Sequence, residues 1–422
     1  MPQVPNETYI YLFKADPVEN NNKFYQMRAN GDGNWTATYG REGATKPQTE
    51  IYPMSKWQSK YNEKLGPKKG YTDVTAFKSV AKVTEIKNSN GQLISKDPEV
   101  VSLIVELQKA ANIVTKANYE VEAKSVTQAQ IDAAQKQIDL LSGSIKHHGK
   151  TNWDINIFNK ELVRLFIIIP RKMKKVADHM MPVDATKEQL KKLIETEQEL
   201  LDSMASQVIT NAATDNDSKD TSSTKTLLES LGLEMRVATK NEIEEVKKLH
   251  KTHSHKIKKV FAVTNKNTQK IFDENFNKEK NKEKQLFFHG SRNANFFFIL
   301  QQGLKIRPSG AIHNGSLLGD AVYFADDDDK SMGYTDGGRW AGGSGNGSVY
   351  IAVFEVRIGK QLHMKDKTFQ VNNSKKDLFD KGYDSVYAHK GANTGWMDLR
   401  KSEFTIYNPA QCTIKYLIEY KA

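Results

Sequence analysis

Three patterns of apolar and polar positions follow one another along the chain. In residues 8–73, aromatic and β-branched residues recur at every second position of TYIYLFKA, KFYQMRA and NWTATYGREG, the period of half-buried strands. Asn, Asp and Gly separate these runs, and NGDGN (30–34) predicts a hairpin loop. A helix is expected over SKWQSKYNEKLG, ended by Gly66 and Pro67.

Over residues 97–211 the period lengthens to that of helices. Asp97 is placed as an N-cap with Pro98 at the first helical position, where a missing N–H costs least. Val100, Leu103, Leu107 and Val114 then share one face, and Ile131, Ala134, Ile138, Leu141 and Ile145 form a second stripe. Thr186 and Gln189 stand at capping-box spacing ahead of a helix whose apolar face is Leu190, Leu193, Leu200 and Met204. Such stripes make core, so an all-α helical bundle is expected. TDNDSKDTSSTK (214–225) is polar and reads as a linker.

Beyond it the patterns mix. A helix is expected through NEIEEVKKLHKTHS, and strands at QLFFHG, AVYFAD, SVYIAVFEV, SEFTIYN and QCTIKYLIEY. The last is expected to put Cys412, Ile414, Tyr416, Ile418 and Tyr420 on one side of its sheet. This third part is α+β and mainly β, and the sequence contains no internal repeat.

Composition narrows the class. A chain of 422 residues predicts two to three domains. With 38% hydrophobic residues and a mean hydropathy of −0.64, it is polar. The apolar run at LVRLFIIIP is far short of the roughly 20 residues of a bilayer span. MPQVPNETYIYLF has neither a basic n-region nor a small-residue cleavage site, so secretion is not expected. The single Cys412 excludes an internal disulfide framework and a cysteine-based zinc finger, and implies a reducing compartment. Lys and Arg number 62 against 51 Asp and Glu, giving +11 and a pI of 9.2. That excess favours an anionic partner, nucleic acid first, with a solvated lysine surface as the alternative.

One stretch carries chemistry. LFFHGSRNANFFFILQQGL (286–304) breaks an apolar strand at His289, Gly290 and Ser291 and resumes with a helical pattern. Such corners hold small charged ligands in mixed folds. With LLGDAVYFAD, DKSMGY and SEFTIY, this stretch resembles the catalytic domain of the poly(ADP-ribose) polymerases, which has the diphtheria-toxin-like ADP-ribosyltransferase fold. LVRLFIIIP resembles a phrase of the helical regulatory domain of the DNA-dependent members, and NNKFYQMR…YGREG resembles the WGR domain. The resemblance covers nearly the whole chain. It implies a small β-rich WGR-like DNA-binding domain at 1–85, a helical regulatory domain at 95–215 and an ADP-ribosyltransferase domain at 220–422.

Cleaving NAD+ at the nicotinamide ribose generates an oxocarbenium-like centre that needs a nearby carboxylate. In KSEFTIYN, period two puts Glu403, Thr405 and Tyr407 on one face. Spacing alone would leave Glu403 on a solvated face; the resemblance makes it the catalytic glutamate, bonding a ribose hydroxyl and orienting the acceptor. The resemblance further implies that His289 donates to an NAD+ ribose hydroxyl and that Tyr323 completes a His-Tyr-Glu set. Tyr323 and Tyr334 would sandwich the nicotinamide. Gly290 and Ser331 would bind its amide, and Ser291 and Asn295 would reach the ribose and adenine end. Lys305 stands where many members have an arginine near the diphosphate. Taken singly, Tyr323 reads more readily as core and Tyr334 as a surface aromatic; the functional reading rests on the set.

The chain departs from the family pattern at Asp320, where the best-known polymerases carry lysine, and at Ala321, which replaces a glycine. Chain elongation is thereby less secure than transfer itself. In the first domain Tyr39 stands where the family has tryptophan, beside Gly40 and Arg41. Tyr39 could stack on an exposed base or sugar and Arg41 could meet a terminal phosphate; a twisted strand with an exposed arginine is the alternative. The histidines of KKLHKTHSHKIKK (247–259) read as a solvated helix end, and the acidic run 326–329 as a solvated loop.

The function implied is an NAD+ ADP-ribosyltransferase switched on by DNA strand breaks, modifying itself and chromatin proteins, with NAD+ as co-substrate and no metal. The nucleus follows from the resemblance, and no membrane is expected. A mono-ADP-ribosyltransferase and an inactive DNA-end scaffold are the rival readings.

Overall fold

In the computed structural model the described residues are 8–16, 21–41, 46–75, 93–150, 153–217, 225–306, 318, 321–338, 347–365, 380–392 and 398–421. The three period-two runs of the first segment form β1 (Tyr9–Asp16), β2 (Asn21–Ala29) and β3 (Asn34–Arg41), and a fourth strand that the sequence did not announce, β4 (Gln48–Pro53), pairs with β3. Helix α1 (Trp57–Leu65) and the short β5 (Thr72–Asp73) follow. The sheet is antiparallel in the order β4-β3-β2-β1-β5. The 30–34 turn is the expected hairpin loop: Gly31 and Gly33 take φ of 84° and 83°, a region open to glycine. Ile10, Leu12, Tyr25, Met27, Trp35 and Ala37 close the core against Trp57 and Tyr61 of α1.

The helices are α2 (Pro98–Asn118), α3 (Gln128–Ile145), α4 (Ile155–Ile168) and α5 (Lys187–Asp217). Asp97 accepts from the Glu99 N–H at 2.9 Å, and Thr186 and Gln189 cap each other reciprocally. The α3 stripe from Ile131 to Ile145 is buried as expected. In α5 the apolar face turns slightly: Ile194 is buried and Leu193 only half so. Helix α5 also runs into the expected linker as far as Asp217, with the Thr214 hydroxyl donating back to the Thr210 carbonyl at 3.0 Å.

The last segment contains α6 (Leu227–Ser230), β6 (Leu233–Val237), α7 (Lys240–Leu249), β7 (Ile257–Asn265), α8 (Lys266–Lys278), β8 (Lys284–Gly290) and α9 (Asn293–Gln302). After these come β9 (Val322–Phe324), α10 (Asp328–Met332), β10 (Val349–Arg357), β11 (Gln361–Met364), β12 (Ser385–Ala388), β13 (Glu403–Ile406) and β14 (Cys412–Tyr420). Two sheets result, β6-β7-β14-β10-β8 and β11-β12-β13-β9. A bridge joins them, Phe288 and Ala325 exchanging backbone bonds of 2.8 and 3.0 Å.

Strand β14 corrects one expectation. Its five alternating residues do not share a side: Cys412 and Ile414 enter the core built by Phe287, Phe354 and Leu417, whereas Tyr416, Ile418 and Tyr420 enter that of Val260, Phe288 and Ile351. The register to β10 jumps from Ile414 to Tyr416. Lys415 is thus an extra residue in a bulge, which reverses the face of everything after it.

The chain divides into two compact units. One comprises Met1–Lys87 and Val114–Val208, the other Asn88–Ile113 and Ile209–Ala422, so both boundaries near the helices fall inside α2 and α5. No helix among the described residues is long and apolar enough to cross a membrane.

Candidate active site

The corner after β8 is built by close approach. Strand β10 pairs with β8 so that Ile351 faces Gly290 and Ala352 faces His289. A Cβ on Gly290 would stand 1.9 Å from the Ser331 carbonyl oxygen, so glycine alone fits there. Ser331 itself is buried, and its carbonyl accepts from the Tyr334 N–H at 3.1 Å. Tyr334 is 41% exposed. Ser291 and Asn295 are joined by a 3.2 Å bond from Asn295 Nδ2 to Ser291 Oγ. Lys305 is exposed beyond the end of α9.

His289 is half-buried, with Nδ1 3.0 Å from the Tyr323 carbonyl oxygen. A carbonyl only accepts, so Nδ1 carries the proton. Burial pushes the ring's pKa below the usual histidine value, and the carbonyl contact opposes this only in part. In the neutral ring, Nε2 is then left as an acceptor. Tyr323 pairs in register with Thr405 of β13, and its hydroxyl accepts from the Leu318 N–H at 2.9 Å.

Glu403 opens β13, opposite Ala388 of β12, and is only 6% exposed, not on a solvated face as spacing alone would place it. Its Oε1 accepts from Lys330 Nζ at 2.6 Å, and the same ammonium reaches the Ser402 carbonyl at 3.1 Å. Its Oε2 is buried and has no hydrogen-bond partner among the described residues. A buried carboxylate oxygen without a donor is costly, and a bound water, an ion or a ligand would each satisfy it. Lys330 was passed over in the sequence, where nothing in DKSMGY sets this lysine apart from any surface one. Burial lowers its pKa below the ordinary lysine value, with Glu403 pulling the other way.

The acidic run is also not a solvated loop. Asp328 is fully buried and accepts from the backbone N–H groups of Lys251, Thr252 and His253 at 2.8, 3.1 and 2.6 Å. Asp327 and Asp329 both hold Lys401, Asp329 also meets His253 Nε2 at 3.0 Å, and Asp326 pairs with Lys251 at 2.7 Å. The histidine segment is a solvated helix end in part: Lys247, Lys248, Lys251 and His255 are exposed, while His250 and His253 are half-buried. His250 spans the Val246 carbonyl and the Tyr420 hydroxyl at 2.7 and 2.6 Å. Helix α10, which supplies Lys330 and Ser331, is thus fastened on both sides.

The candidate DNA residues lie in the first unit. Tyr39 stacks on Tyr25 at 5.5 Å and donates its hydroxyl to Glu50 at 2.6 Å, so one ring face and the phenol are already used. Arg41 is exposed and donates to the Lys174 carbonyl. Asp320 lies outside the described residues.

The features that bear on a ligand site are the buried Glu403 carboxylate, whose Oε2 has no partner among the described residues, the His289 imidazole, and the Gly290 corner packed on the Ser331 carbonyl. Comparison with known proteins points to a family. Residues 239–422 match the poly(ADP-ribose) polymerase catalytic domain. The putative poly [ADP-ribose] polymerase-like 100L of Invertebrate iridescent virus 6 is 30% identical over 182 residues, covering 42% of this chain and 90% of that protein. The uncharacterized protein 101L of the same virus is 32% identical over 199 residues, 47% of this chain and 76% of that protein. Poly [ADP-ribose] polymerase 1 of Gallus gallus is 32% identical over 155 residues, but these are 33% of this chain and only 15% of the bird protein.

Proposed function

Because this chain belongs to the poly(ADP-ribose) polymerase family and is an NAD+ ADP-ribosyltransferase, we propose that Glu403, His289 and Tyr323 form its reaction centre and that DNA strand breaks activate it. The observation that carries the reading is Glu403, buried, with one oxygen held by Lys330 and the other without a hydrogen-bond partner among the described residues. In the reaction the bond from ribose C1′ to the nicotinamide nitrogen breaks and nicotinamide leaves with the bonding pair. The Glu403 charge stabilises the resulting cation while its free oxygen accepts from a ribose hydroxyl. The acceptor oxygen then bonds to C1′ and gives up its proton. His289 Nε2 accepts from a second ribose hydroxyl. Tyr323 and Tyr334 stack on the nicotinamide, whose amide meets the Gly290 backbone and Ser331. Ser291, Asn295 and Lys305 serve the adenosine and diphosphate end.

The wider proposal treats 1–85 as a WGR-like DNA-binding domain, 95–215 as a helical regulatory domain and 220–422 as the transferase. Arg41 and the exposed face of Tyr39 would meet a DNA end, supported by the net charge of +11. Acceptors are the protein itself and chromatin proteins, the product is poly(ADP-ribose), and the compartment is the nucleus. The test is incubation with labelled NAD+ with and without nicked duplex, read on a gel that resolves polymer. Label that rises with DNA and runs as a ladder supports the proposal. Equal label in both arms removes the DNA switch, and a single band assigns mono-ADP-ribosylation.

A further inference from the structure

The turn that follows α10 is fastened to the start of α9. Asp336 is half-buried, and its Oδ2 accepts from the Asn293 N–H, the first of that helix, at 3.0 Å. A carboxylate placed there satisfies an N–H that has no partner inside the helix and meets the positive end of the helix dipole. Asn293 also reaches the other way. Its Nδ2 donates to the Ser348 carbonyl at 2.9 Å, immediately before β10. One residue therefore ties together the turn, α9 and the entry to β10.

Between these ends the turn is tightly wound. The N–H groups of Tyr334, Thr335 and Gly338 donate to the carbonyls of Ser331, Met332 and Thr335 at 3.1, 3.1 and 2.7 Å. Thr335 is fully buried, and its hydroxyl donates to the Met332 carbonyl at 2.8 Å. A Cβ on Gly338 would collide with the Gly333 carbonyl, so the turn closes on itself only with glycine there. Tyr334 is thus carried on a stiff piece of backbone, and Asp336 stands two residues beyond it. Nothing in the sequence around Asp336 sets it apart, because its partner lies 43 positions away.

We propose that Asp336 is a positioning residue for NAD+: by clasping Asn293 it fixes the Tyr334 turn against the His289–Ser291 corner and so sets the width of the slot for the nicotinamide ring. This rests on the stacking role given to Tyr334 above. Two contacts join the turn to the corner, and they bracket Tyr334 in sequence. Before it, the Ser331 carbonyl packs on Gly290 so closely that no Cβ fits between. After it comes the Asp336 bond to Asn293. Removing the second contact loosens the turn about the first, and a stacked ring pair weakens once its spacing and tilt are no longer held. The Asp336 carboxylate is bonded to Asn293, not to any group assigned to NAD+, so it acts through Tyr334. Asparagine at this position keeps an acceptor oxygen for the Asn293 N–H; alanine keeps none.

The experiment titrates the whole protein with nicotinamide, and separately with ADP-ribose, which lacks that ring. The variants are Asp336→Ala, Asp336→Asn, Tyr334→Ala and the double alanine variant, each also assayed for nicotinamide release from NAD+. Asp336→Ala should weaken nicotinamide by about three- to tenfold and raise KM for NAD+ in proportion, with kcat within about twofold of wild type. ADP-ribose should bind each variant as it binds wild type, which also reports that the variants are folded. Asp336→Asn should restore nicotinamide affinity to within about twofold of wild type. The double variant should be no weaker than Tyr334→Ala alone, since both changes act on one ring. Weakened nicotinamide in Tyr334→Ala but not in Asp336→Ala would overturn the clasp and leave the stacking standing. Unchanged binding in both would remove the stacking and the clasp with it. An equal loss of ADP-ribose and nicotinamide in Asp336→Ala would make the residue one that only supports folding, and would overturn the proposal as well.

Discussion

Lys330 Nζ lies 2.6 Å from Glu403 Oε1, both side chains are buried, and Glu403 Oε2 has no partner among the described residues. The two carboxylate oxygens thus have different roles, one fixing the side chain and one open to substrate. Glu403→Gln keeps the shape and removes the charge, and should lower nicotinamide release by on the order of 10²- to 10³-fold. Its DNA affinity should stay at the wild-type value, measured by fluorescence anisotropy. Unchanged turnover would remove Glu403 from the mechanism.

Lys330 makes a pH prediction. Burial lowers its pKa, so the cation that holds Glu403 is lost at lower pH than the ordinary lysine value of about 10.4. The alkaline limb of kcat should therefore fall below that value, and Lys330→Met should abolish the limb along with most activity. For stability the sign is that of any group whose pKa is lowered on folding, the opposite of a lysine raised by an ion pair. Between the lowered and the ordinary value the unfolded chain binds the extra proton, so this group's contribution rises with pH across that window.

His289 governs the acid side. Its lowered pKa keeps the ring neutral, with Nε2 as acceptor, until the pH drops below the ordinary histidine value of about 6.5. Protonation turns Nε2 into a donor, so the ribose hydroxyl has to reverse its bond and give up the acceptor it had. kcat/KM for NAD+ should decline only below that value, and stability should fall in the same direction, because the unfolded chain takes up the proton first. A pH profile flat through this region would refute the assigned tautomer and role.

Gly290→Ala tests the corner itself. The new Cβ would meet the Ser331 carbonyl at 1.9 Å, a backbone atom that has no rotamer to escape through. A loss of about 1–3 kcal/mol in unfolding free energy is expected, with a larger proportional loss of NAD+ binding. Urea denaturation and NAD+ titration measure the two.

The DNA proposal rests on Arg41, whose guanidinium would have to exchange the Lys174 carbonyl for a phosphate. Arg41→Ala should weaken binding to nicked duplex and lower the slope of log K against log salt by about 1. A slope identical to wild type would place the phosphate contact elsewhere.

Much of this was legible in the sequence because the periods are local. The Tyr9–Arg41 strands, the α3 stripe and the Thr186–Gln189 cap depend on residues within a few positions of each other. What failed depended on distant partners. A bulge at Lys415 is invisible without the facing strand, yet it turns Tyr416, Ile418 and Tyr420 to the other core. Lys330 looks like a surface lysine until β13 arrives beside it, 73 residues later. Four aspartates in a row read as solvated because nothing nearby announces the backbone donors of 251–253.

Those donors lead to the last expectation. Three N–H groups converge on the buried carboxylate of Asp328, two residues before Lys330. An amide at this position can accept through only one of its two polar atoms, leaving at least one donor unmatched. Asp328→Asn should thus destabilise the protein by about 1–3 kcal/mol. If Asp328 acts by holding α10 so that Lys330 reaches Glu403, its effect on kcat should vanish once Lys330 is already methionine. The double variant should then be no slower than Lys330→Met alone, the signature of coupled residues. Independent, multiplying losses would mean that the latch only supports folding. Lys401→Met, which loosens α10 from its exposed side, should show the same non-additivity with a smaller loss of stability.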